Sequence, residues 1–358
     1  MYRFWNSIIE PLCKEANIRS IVEVGIGQGH LTHLLLSYAK HYGATVRAID
    51  PHPACDMVIL AAEGGTTLTY HTAKSTDVLP SVCADLVLID GDHNWYTVLQ
   101  ELRILSQWVS AGTSEPIILL HDTEWPYGRR DMYYDKEAIP AAYRHPSALR
   151  GLLPSKTGLE QIGGLNADLE NALEEGGPRN GVRTAVEDFL KEEPDRWHWQ
   201  ALQGLHGLGI LIPRSRLVRQ PGLNALLNDM HASPCLRAHI DMLESDRLRE
   251  LANNATIIHR IRQRDEQMRM QQERWREATE KADRLRTLES ERSVLQTENV
   301  RLNAIIDALE GKHAHIMREI ANAQATSMRM QAALDHIHTT RTFRWTAWIR
   351  RCAGLLRR

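Results

Sequence analysis

Acidic and imidazole side chains are concentrated in two short runs, each directly behind an apolar segment. One run is Asp-Gly-Asp-His at 90–93, and the other is His-Asp-Thr at 121–123. Aspartate oxygens suit Mg²⁺ or Mn²⁺ better than Zn²⁺, and an unperturbed imidazole titrates near neutral pH. If the two runs meet in the fold, their carboxylates and imidazoles can bind a hard divalent cation and supply a base.

The two histidines have alternative interpretations. His93 could instead be a structural residue at the start of a helix, bonded to a carboxylate. His121 could be a metal ligand, an orienting partner of Asp122 or a structural residue, and all three roles stay open.

A glycine-rich loop lies upstream of both runs. The apolar residues 21–24 predict a buried strand, which is followed by three glycines between 25 and 29 and by a helix-like segment at 31–39. Glycine permits a tight turn and the close approach of a ligand, and the helix N-terminus offers free N–H groups. The spacing G-x-G-x-G is weak evidence by itself, because His30 stands where a dinucleotide fingerprint has its third glycine. Glu23 could hold this loop or reach an amino-acid group of a ligand.

Strand-like and helix-like segments alternate up to about residue 215. This pattern predicts parallel β-α units wound around one sheet, with ligands at the carboxyl ends of the strands. The predicted strands are 18–24, 44–50, 66–73, 84–90 and 116–121, followed by an antiparallel pair at 198–203 and 208–212. Asp50 ends the second strand, where a carboxylate can bind both hydroxyls of a ribose; alternatively it is a turn residue before Pro51.

Composition excludes several classes of protein. With 358 residues the chain has room for two or more domains, and a formal net charge of −2 argues against a generally basic nucleic-acid binder. The five cysteines are widely spaced and form no C-x-x-C pair, so we expect reduced thiols in a cytosolic protein and no zinc site. The N-terminal residues lack the pattern of a signal peptide, and no apolar run is long enough to cross a bilayer.

A long insertion, 124–180, separates the fifth strand from a predicted helix at 181–191. Its first half is dense in aromatic residues and arginines. Disordered segments are poor in aromatics, so we predict an ordered lid over the strand ends rather than a disordered loop.

The C-terminal third has a different character. After a predicted linker at 216–235, the segment 236–338 has no proline and carries apolar heptads, which predict a coiled coil. One series keeps seven-residue spacing through Leu288, Leu295, Leu302, Leu309, Ile316, Ala323, Met330 and Ile337. Asn299 falls on the other seam position, as in many parallel dimers, so we expect a homo-oligomer. The alternative is a long helix packed back on the first domain.

The tail, 339–358, interleaves aromatic and aliphatic residues with arginines. Its last eighteen residues carry six arginines and no acid. On a helix this composition is typical of a segment lying in an anionic membrane interface. A disordered basic tail or one that binds nucleic acid is the alternative; we favour lipid and expect no nucleic-acid partner.

These motifs resemble class I S-adenosylmethionine-dependent methyltransferases, within the branch typified by macrolide-sugar O-methyltransferases and cephalosporin hydroxylase-like proteins. The resemblance covers about residues 15–215 and rests on the motifs at 23–29, 88–93 and 120–123. It implies a Rossmann-like, doubly wound, seven-stranded and mostly parallel sheet followed by the coiled coil. The residues implied to hold S-adenosylmethionine are Glu23, Gly25, Gly27 and Gly29 for the methionine part, Asp50 for the ribose, Thr72–Ser75 beside the adenine, and Asp90.

The same resemblance implies the chemistry. Metal-dependent relatives have ligands at the positions of Asp90 and near Asp122, with a base at His93. They often have two adjacent acids after the fifth strand, whereas this chain has His121 before Asp122. We therefore expect an O-methyltransferase acting on a sugar hydroxyl with S-adenosylmethionine and a Mg²⁺ or Mn²⁺ ion. A non-catalytic scaffold on the same fold is the alternative, and an NAD-type oxidoreductase is disfavoured by the glycine spacing and the terminal hairpin.

The C-terminal segment 342–351 looks like the tails of bacterial surface-polysaccharide glycosyltransferases and their partners. It implies a cytoplasmic protein held at the inner membrane's cytoplasmic face, near glycosyltransferases, with a glycan under assembly as acceptor.

Overall fold

The computed structural model describes residues 1–154, 156–289 and 296–337. Within 282–289, 296–301, 331 and 333–337 only the backbone is described. The chain divides into a first unit, residues 1–161 and 166–249, and a second unit that comprises 162–165 and the residues from 250 onward.

The first unit is built on a seven-stranded sheet. Its strands are β1 (Ser20–Val24), β2 (Thr45–Ile49), β3 (Leu68–His71), β4 (Leu86–Ile89), β5 (Ile117–His121), β9 (Trp197–Leu202) and β10 (Leu208–Pro213). The order is β3-β2-β1-β4-β5-β10-β9. The first five strands are parallel, and β10 runs antiparallel to both β5 and β9. The predicted fold class is confirmed.

Helices cover both faces of this sheet. They are α1 (Glu10–Glu15), α2 (His30–Tyr42), α3 (Met57–Gly64), α4 (Ser75–Val78), α5 (Trp95–Ser110) and α6 (Val182–Glu192). One core lies between the sheet and α1 and α2, and the other lies between the sheet and α5 and α6. Because both faces are buried, β4 reads Leu-Val-Leu-Ile without polar alternation. This arrangement fixes the strand ends from which the polar side chains project.

The segment predicted to be a linker, 216–235, is mostly helical. It contains α8 (Pro221–Asp229), most of α7 (Arg214–Arg219) and the start of α9 (Pro234–Glu289). Pro221 stands at the first turn of α8, where a missing N–H costs nothing, so the proline starts a helix and does not mark a flexible stretch. Leu223 and Leu227 are buried in the core on the α1 side of the sheet. The segment therefore packs as part of the first unit.

The insertion 124–180 contains a second, small sheet. Its strands are β6 (Met132–Tyr133), β7 (Ser147–Leu149) and β8 (Glu170–Ala172), in the order β6-β8-β7 with antiparallel pairing. Arg130 is fully buried and donates to the carbonyl oxygens of Thr157 and Ala172. The buried guanidinium group thereby holds separate parts of the insertion together.

The second unit consists mainly of the greater part of α9 and of α10 (Gln296–Ile337). Arg264 of α9 and Glu319 of α10 form an ion pair, so the two helices lie side by side at this point. The least exposed side chains of α10 fall on both predicted seam positions, for example Leu302, Ile306 and Ile316. The tail 339–358 and residues 290–295 and 338 of the predicted coiled coil lie outside the described residues, and so do the side chains of Leu288, Asn299 and Ile337. No helix of the described chain is both long and apolar enough to cross a membrane.

Candidate active site

The glycine loop joins the ends of three strands. The Gly25 N–H donates to the Ile49 carbonyl of β2 (2.9 Å), and the Asp90 N–H donates to the Val24 carbonyl of β1 (2.9 Å). Gly25 has φ +90°, and a Cβ there would lie 2.6 Å from the Asp90 carbonyl carbon and still closer to its oxygen. Only glycine fits this close approach of two backbones.

Asp50 is anchored to the same loop. One oxygen of its carboxylate accepts from the main-chain N–H groups of Ile26 (2.8 Å) and Gly27 (3.2 Å). The other oxygen accepts from the His52 N–H (2.8 Å). The structure thus brings Asp50 to the loop, where its half-buried carboxylate retains unused lone pairs for a ligand.

Glu23 is buried beneath the loop with a relative exposure of 1%. No hydrogen bond of ordinary geometry reaches either of its carboxyl oxygens from the described part of the chain. Burial raises the pKa of Glu23 to about 8, and the carboxylates of Asp90 and Asp50 add to this, while the nearby Thr32 hydroxyl opposes it. A buried, unpaired carboxyl group is costly unless a ligand supplies its partner.

Asp90 and Asp122 enclose His121. The His121 Nδ1 lies 3.0 Å from Asp90 Oδ1 and 3.3 Å from Asp122 Oδ2, and its Nε2 faces the Leu205 carbonyl at 3.1 Å. Both ring nitrogens therefore face acceptors, as an imidazolium requires. The second oxygen of Asp90 accepts from the Met1 amino group at 2.9 Å.

The charges in this cluster stabilise one another. Burial alone would lower the pKa of His121, but Asp90 and Asp122 raise it to about 10. Burial would raise the pKa of Asp90, yet the imidazolium brings it to about 2, and the pKa of Asp122 is lowered in the same way. Of the three roles left open for His121, this geometry supports a charged partner that orients both carboxylates.

His93 completes the group of polar side chains. Its Nδ1 lies 3.2 Å from Asp122 Oδ2, and the side chain is almost fully buried. Asp90, His93 and Asp122 can each offer one ligand atom, with all three atoms within 4.8 Å of one another. These donors fit a divalent cation, and His93 enters as a third donor besides the two predicted aspartates.

Residues of the insertion fix His93, and sequence reasoning gave them no role. Tyr127 stacks on the His93 ring with centroids 5.5 Å apart and an interplanar angle of 21°. The Tyr127 hydroxyl donates to Asn171 Oδ1 (3.1 Å) and accepts from Asn166 Nδ2 (2.7 Å). The aromatic density of the insertion was the available signal, but nothing in it singled out Tyr127.

Asp131 was missed as well. Its Oδ1 accepts from the N–H groups of Trp95, the first residue of α5, and Gly181, which precedes α6, both at 2.7 Å. The Met132 N–H donates to the His93 carbonyl at 3.1 Å. The insertion is thus bonded directly to the segment that carries His93. An acid two residues before an aromatic pair is too common a pattern to have revealed this.

Ser75, predicted to lie beside an adenine, is the first residue of α4 and is buried. Its hydroxyl donates to Glu101 of α5. Burial raises the pKa of Glu101 to about 8, with the Asp92 carboxylate adding to the effect and the Ser75 hydroxyl opposing it. Glu101 is therefore a further buried acid near this end of the sheet that the sequence did not reveal.

A family model described as a methyltransferase domain matches residues 22–123, the range that contains the glycine loop and both polar runs. No curated protein matches the sequence.

Similar solved structures include methyltransferases with little sequence identity to this chain. One is a Podospora anserina methyltransferase with S-adenosylhomocysteine bound: identity 13%, TM-score 0.33, covering 56% of this chain and 74% of that one. Another is human N-acetylserotonin methyltransferase, with 15% identity and a TM-score of 0.33; the match covers 59% of this chain and 53% of that one. A third is the Burkholderia thailandensis 1,6-didemethyltoxoflavin-N1-methyltransferase, with 14% identity and a TM-score of 0.33; the match covers 57% of this chain and 75% of that one.

Proposed function

We propose that the first unit, whose residues 22–123 match the model of a methyltransferase domain, transfers the methyl group of S-adenosylmethionine to an oxygen, and that the acceptor is a sugar hydroxyl. The observation that carries this proposal is the placement of Asp90, His93 and Asp122 directly beside the glycine loop. A base and two carboxylates beside the glycine loop suit the deprotonation and alignment of an alcohol.

The glycine loop supplies the cofactor's cradle. Within the described residues no hydrogen bond of ordinary geometry reaches the buried carboxyl group of Glu23, so the ammonium group of a methionine moiety would pair with it and lower its pKa. Asp50 already holds the loop and retains lone pairs for ribose hydroxyls. The helix α2 begins without a side-chain cap, so its first N–H groups are free to bind a ligand.

His93 is positioned to remove the acceptor's proton. Because Asp122 lies against Nδ1, the neutral imidazole keeps its hydrogen there and leaves Nε2 as the base. Nε2 takes the hydroxyl proton, the acceptor oxygen forms a bond to the methyl carbon, and the sulfur keeps the electron pair of the breaking S–C bond. Holding donor and acceptor in line supplies much of the rate enhancement.

Asp90 and Asp122 would hold a divalent cation, while His93 keeps its Nε2 for the proton of the acceptor. Such an ion would lower the pKa of the acceptor hydroxyl and orient its oxygen. His121 already neutralises both carboxylates, so a cation would compete with this imidazolium for Asp90 and Asp122. We therefore include a metal ion in the proposal, and we expect it to bind only by displacing the His121 imidazolium from Asp90 and Asp122.

Calorimetry with S-adenosylhomocysteine tests the function. We expect binding to the intact protein and a loss of at least about tenfold in affinity for Asp50→Ala, because both the loop anchor and the ribose contact disappear. Asp246→Ala, at an exposed position on α9, serves as the control. Absence of binding, or binding insensitive to Asp50→Ala, would support the non-catalytic scaffold.

Mass spectrometry of surface glycan from cells with and without the protein then identifies the acceptor, as a gain of one CH₂ per modified site.

The proposal extends to assembly at the cytoplasmic face of an inner membrane, near glycosyltransferases. Exposed apolar residues on α10, Leu309 and Met330 of the heptad series among them, support a homo-oligomer.

The arginine and tryptophan content of 339–358 supports contact with anionic lipid. We expect the intact protein to sediment with anionic liposomes at low salt and a chain lacking 339–358 to stay in the supernatant while binding S-adenosylhomocysteine equally well. Equal sedimentation of both proteins would contradict the role of the tail.

A further inference from the structure

The insertion presents one large aromatic side chain to solvent beside the base. Tyr134 is 64% exposed, although its ring centroid lies only 6.4 Å from that of His93. Its hydroxyl makes no hydrogen bond within the described residues, and its ring belongs to neither hydrophobic core. A largely exposed tyrosine ring that lies outside both hydrophobic cores of the described residues is available to a ligand.

The backbone that carries Tyr134 is nonetheless fixed. The preceding Tyr133 is buried, and its hydroxyl donates to Asp131 Oδ2 at 2.9 Å and accepts from the His145 N–H at 2.9 Å. Met132 is bonded to the His93 carbonyl, and the following Asp135 lies 3.6 Å from the Lys74 ammonium group. The Tyr134 ring is therefore held at one place near His93 by its neighbours, and ordering it on binding costs little entropy.

The surroundings of Tyr134 indicate which kind of ring would lie on it. Partial loss of water around the hydroxyl contributes most to the raised pKa of Tyr134, and the nearby carboxylates of Asp90 and Asp122 add to it. Tyr127, the other aromatic residue beside His93, is 3% exposed and stacked on that ring, so it cannot form a second wall. One open aromatic face beside several hydrogen-bond acceptors suits a polyhydroxylated ring, whereas a planar aromatic acceptor needs an apolar slot with two walls.

We propose that Tyr134 is the platform of an acceptor subsite, on which a pyranose ring packs one of its C–H faces while a hydroxyl is presented to His93. This inference rests on the proposed function and adds to it the residue that selects the acceptor. Tyr134 acts on acceptor affinity and leaves the cofactor cradle untouched.

Saturation-transfer NMR tests the subsite without any need for turnover. The probes are methyl α-L-rhamnopyranoside, methyl α-D-mannopyranoside and methyl β-D-glucopyranoside at millimolar concentration, with catechol as a planar competitor and S-adenosylhomocysteine present throughout. We expect saturation transfer to at least one pyranoside with the unmodified protein and with Tyr134→Phe and Tyr134→Trp, which keep an aromatic face. With Tyr134→Ala we expect binding weaker by on the order of tenfold, since a stacked ring contributes about that much.

Leu149→Ala is the matched control, because Leu149 is 67% exposed and lies on the small sheet whose strand β6 directly precedes Tyr134. It should bind the pyranoside like the unmodified protein, and all variants should retain their affinity for S-adenosylhomocysteine. The inference is overturned if Tyr134→Ala binds the sugar normally, if no pyranoside receives saturation, or if catechol alone does. Each of these results leaves methyl transfer from S-adenosylmethionine to an oxygen standing, although the last two remove the sugar as its acceptor. A protein that binds pyranosides through Tyr134 but not S-adenosylhomocysteine would reject the methyl transfer and keep the subsite.

Discussion

Replacing Asp122 by asparagine is expected to lower the rate of methyl transfer by roughly 10³-fold while leaving the affinity for S-adenosylhomocysteine within about threefold. One Asp122 oxygen contacts both His93 (3.2 Å) and His121 (3.3 Å), so the substitution removes the charge that orients the base and the charge that a cation would need. Asn preserves the shape of the side chain. It also tolerates the left-handed backbone that Asp122 adopts at φ +56°.

The measurement is single-turnover methyl transfer to the acceptor identified from the glycan. Asp92→Asn is the control: its carboxylate accepts from the Thr97 hydroxyl at 3.1 Å and takes no part in the His121 ion pairs. We expect this control to change the rate by less than about fivefold, within the range of an ordinary hydrogen bond. If Asp122→Asn turned over at the unmodified rate, His93 would need another orienting partner and the proposed mechanism would fail.

Chelation separates the two ways in which Asp122 could act. If a cation bound by Asp90 and Asp122 activates the acceptor, excess chelator should stop turnover in the unmodified protein. If the His121 imidazolium compensates the carboxylates instead, turnover should persist and Asp122→Asn should still be inactive. Full activity in chelator removes the cation from the mechanism without removing Asp122.

The sheet and the meeting of the two polar runs follow from local patterns. Each strand of the parallel part is a short apolar run, and chain direction places the carboxyl ends of such strands at one edge of the sheet. That rule brings Asp90 at the end of β4 close to Asp122 at the end of β5, as the structure has them. The predicted roles of these residues in binding and catalysis remain predictions.

The side chains that hold His93 in place depend on contacts between residues that are far apart in the sequence. Tyr127 reaches Asn171 across 44 positions, and Asp131 reaches Gly181 across 50. No periodicity encodes such pairs, so the insertion could be predicted to be ordered but its individual contacts could not. The helix α8 was missed for a different reason: Pro221 and Gly222 resemble a linker unless the buried leucines that follow them are weighed as an amphipathic pattern.

The second prediction tests whether the close approach of the Gly25 backbone to Asp90 shapes the cofactor site. It adds one methyl group to the glycine loop and leaves every functional side chain of the site unchanged. Gly25→Ala is expected to weaken S-adenosylhomocysteine binding by about 100-fold or more and to destabilise the first unit by roughly 2–4 kcal/mol. The alanine incurs the left-handed strain of φ +90°. Its Cβ also collides with the main chain of Asp90 and Gly91, which can move only if the end of β4 moves.

Gly43→Ala provides the matched control for strain. Gly43 caps the end of α2 at φ +66°, and a Cβ there would meet nothing within 4 Å. It should cost roughly 1–2 kcal/mol of unfolding free energy, measured by urea denaturation, and leave the calorimetric affinity unchanged. Because both alanines stand at a positive φ, most of the difference between the two variants reports the collision at Gly25. Equal binding by both would mean that the contact between the Gly25 loop and Asp90 does not shape the cofactor site, and the glycine spacing would then reflect only the turn from β1 into α2.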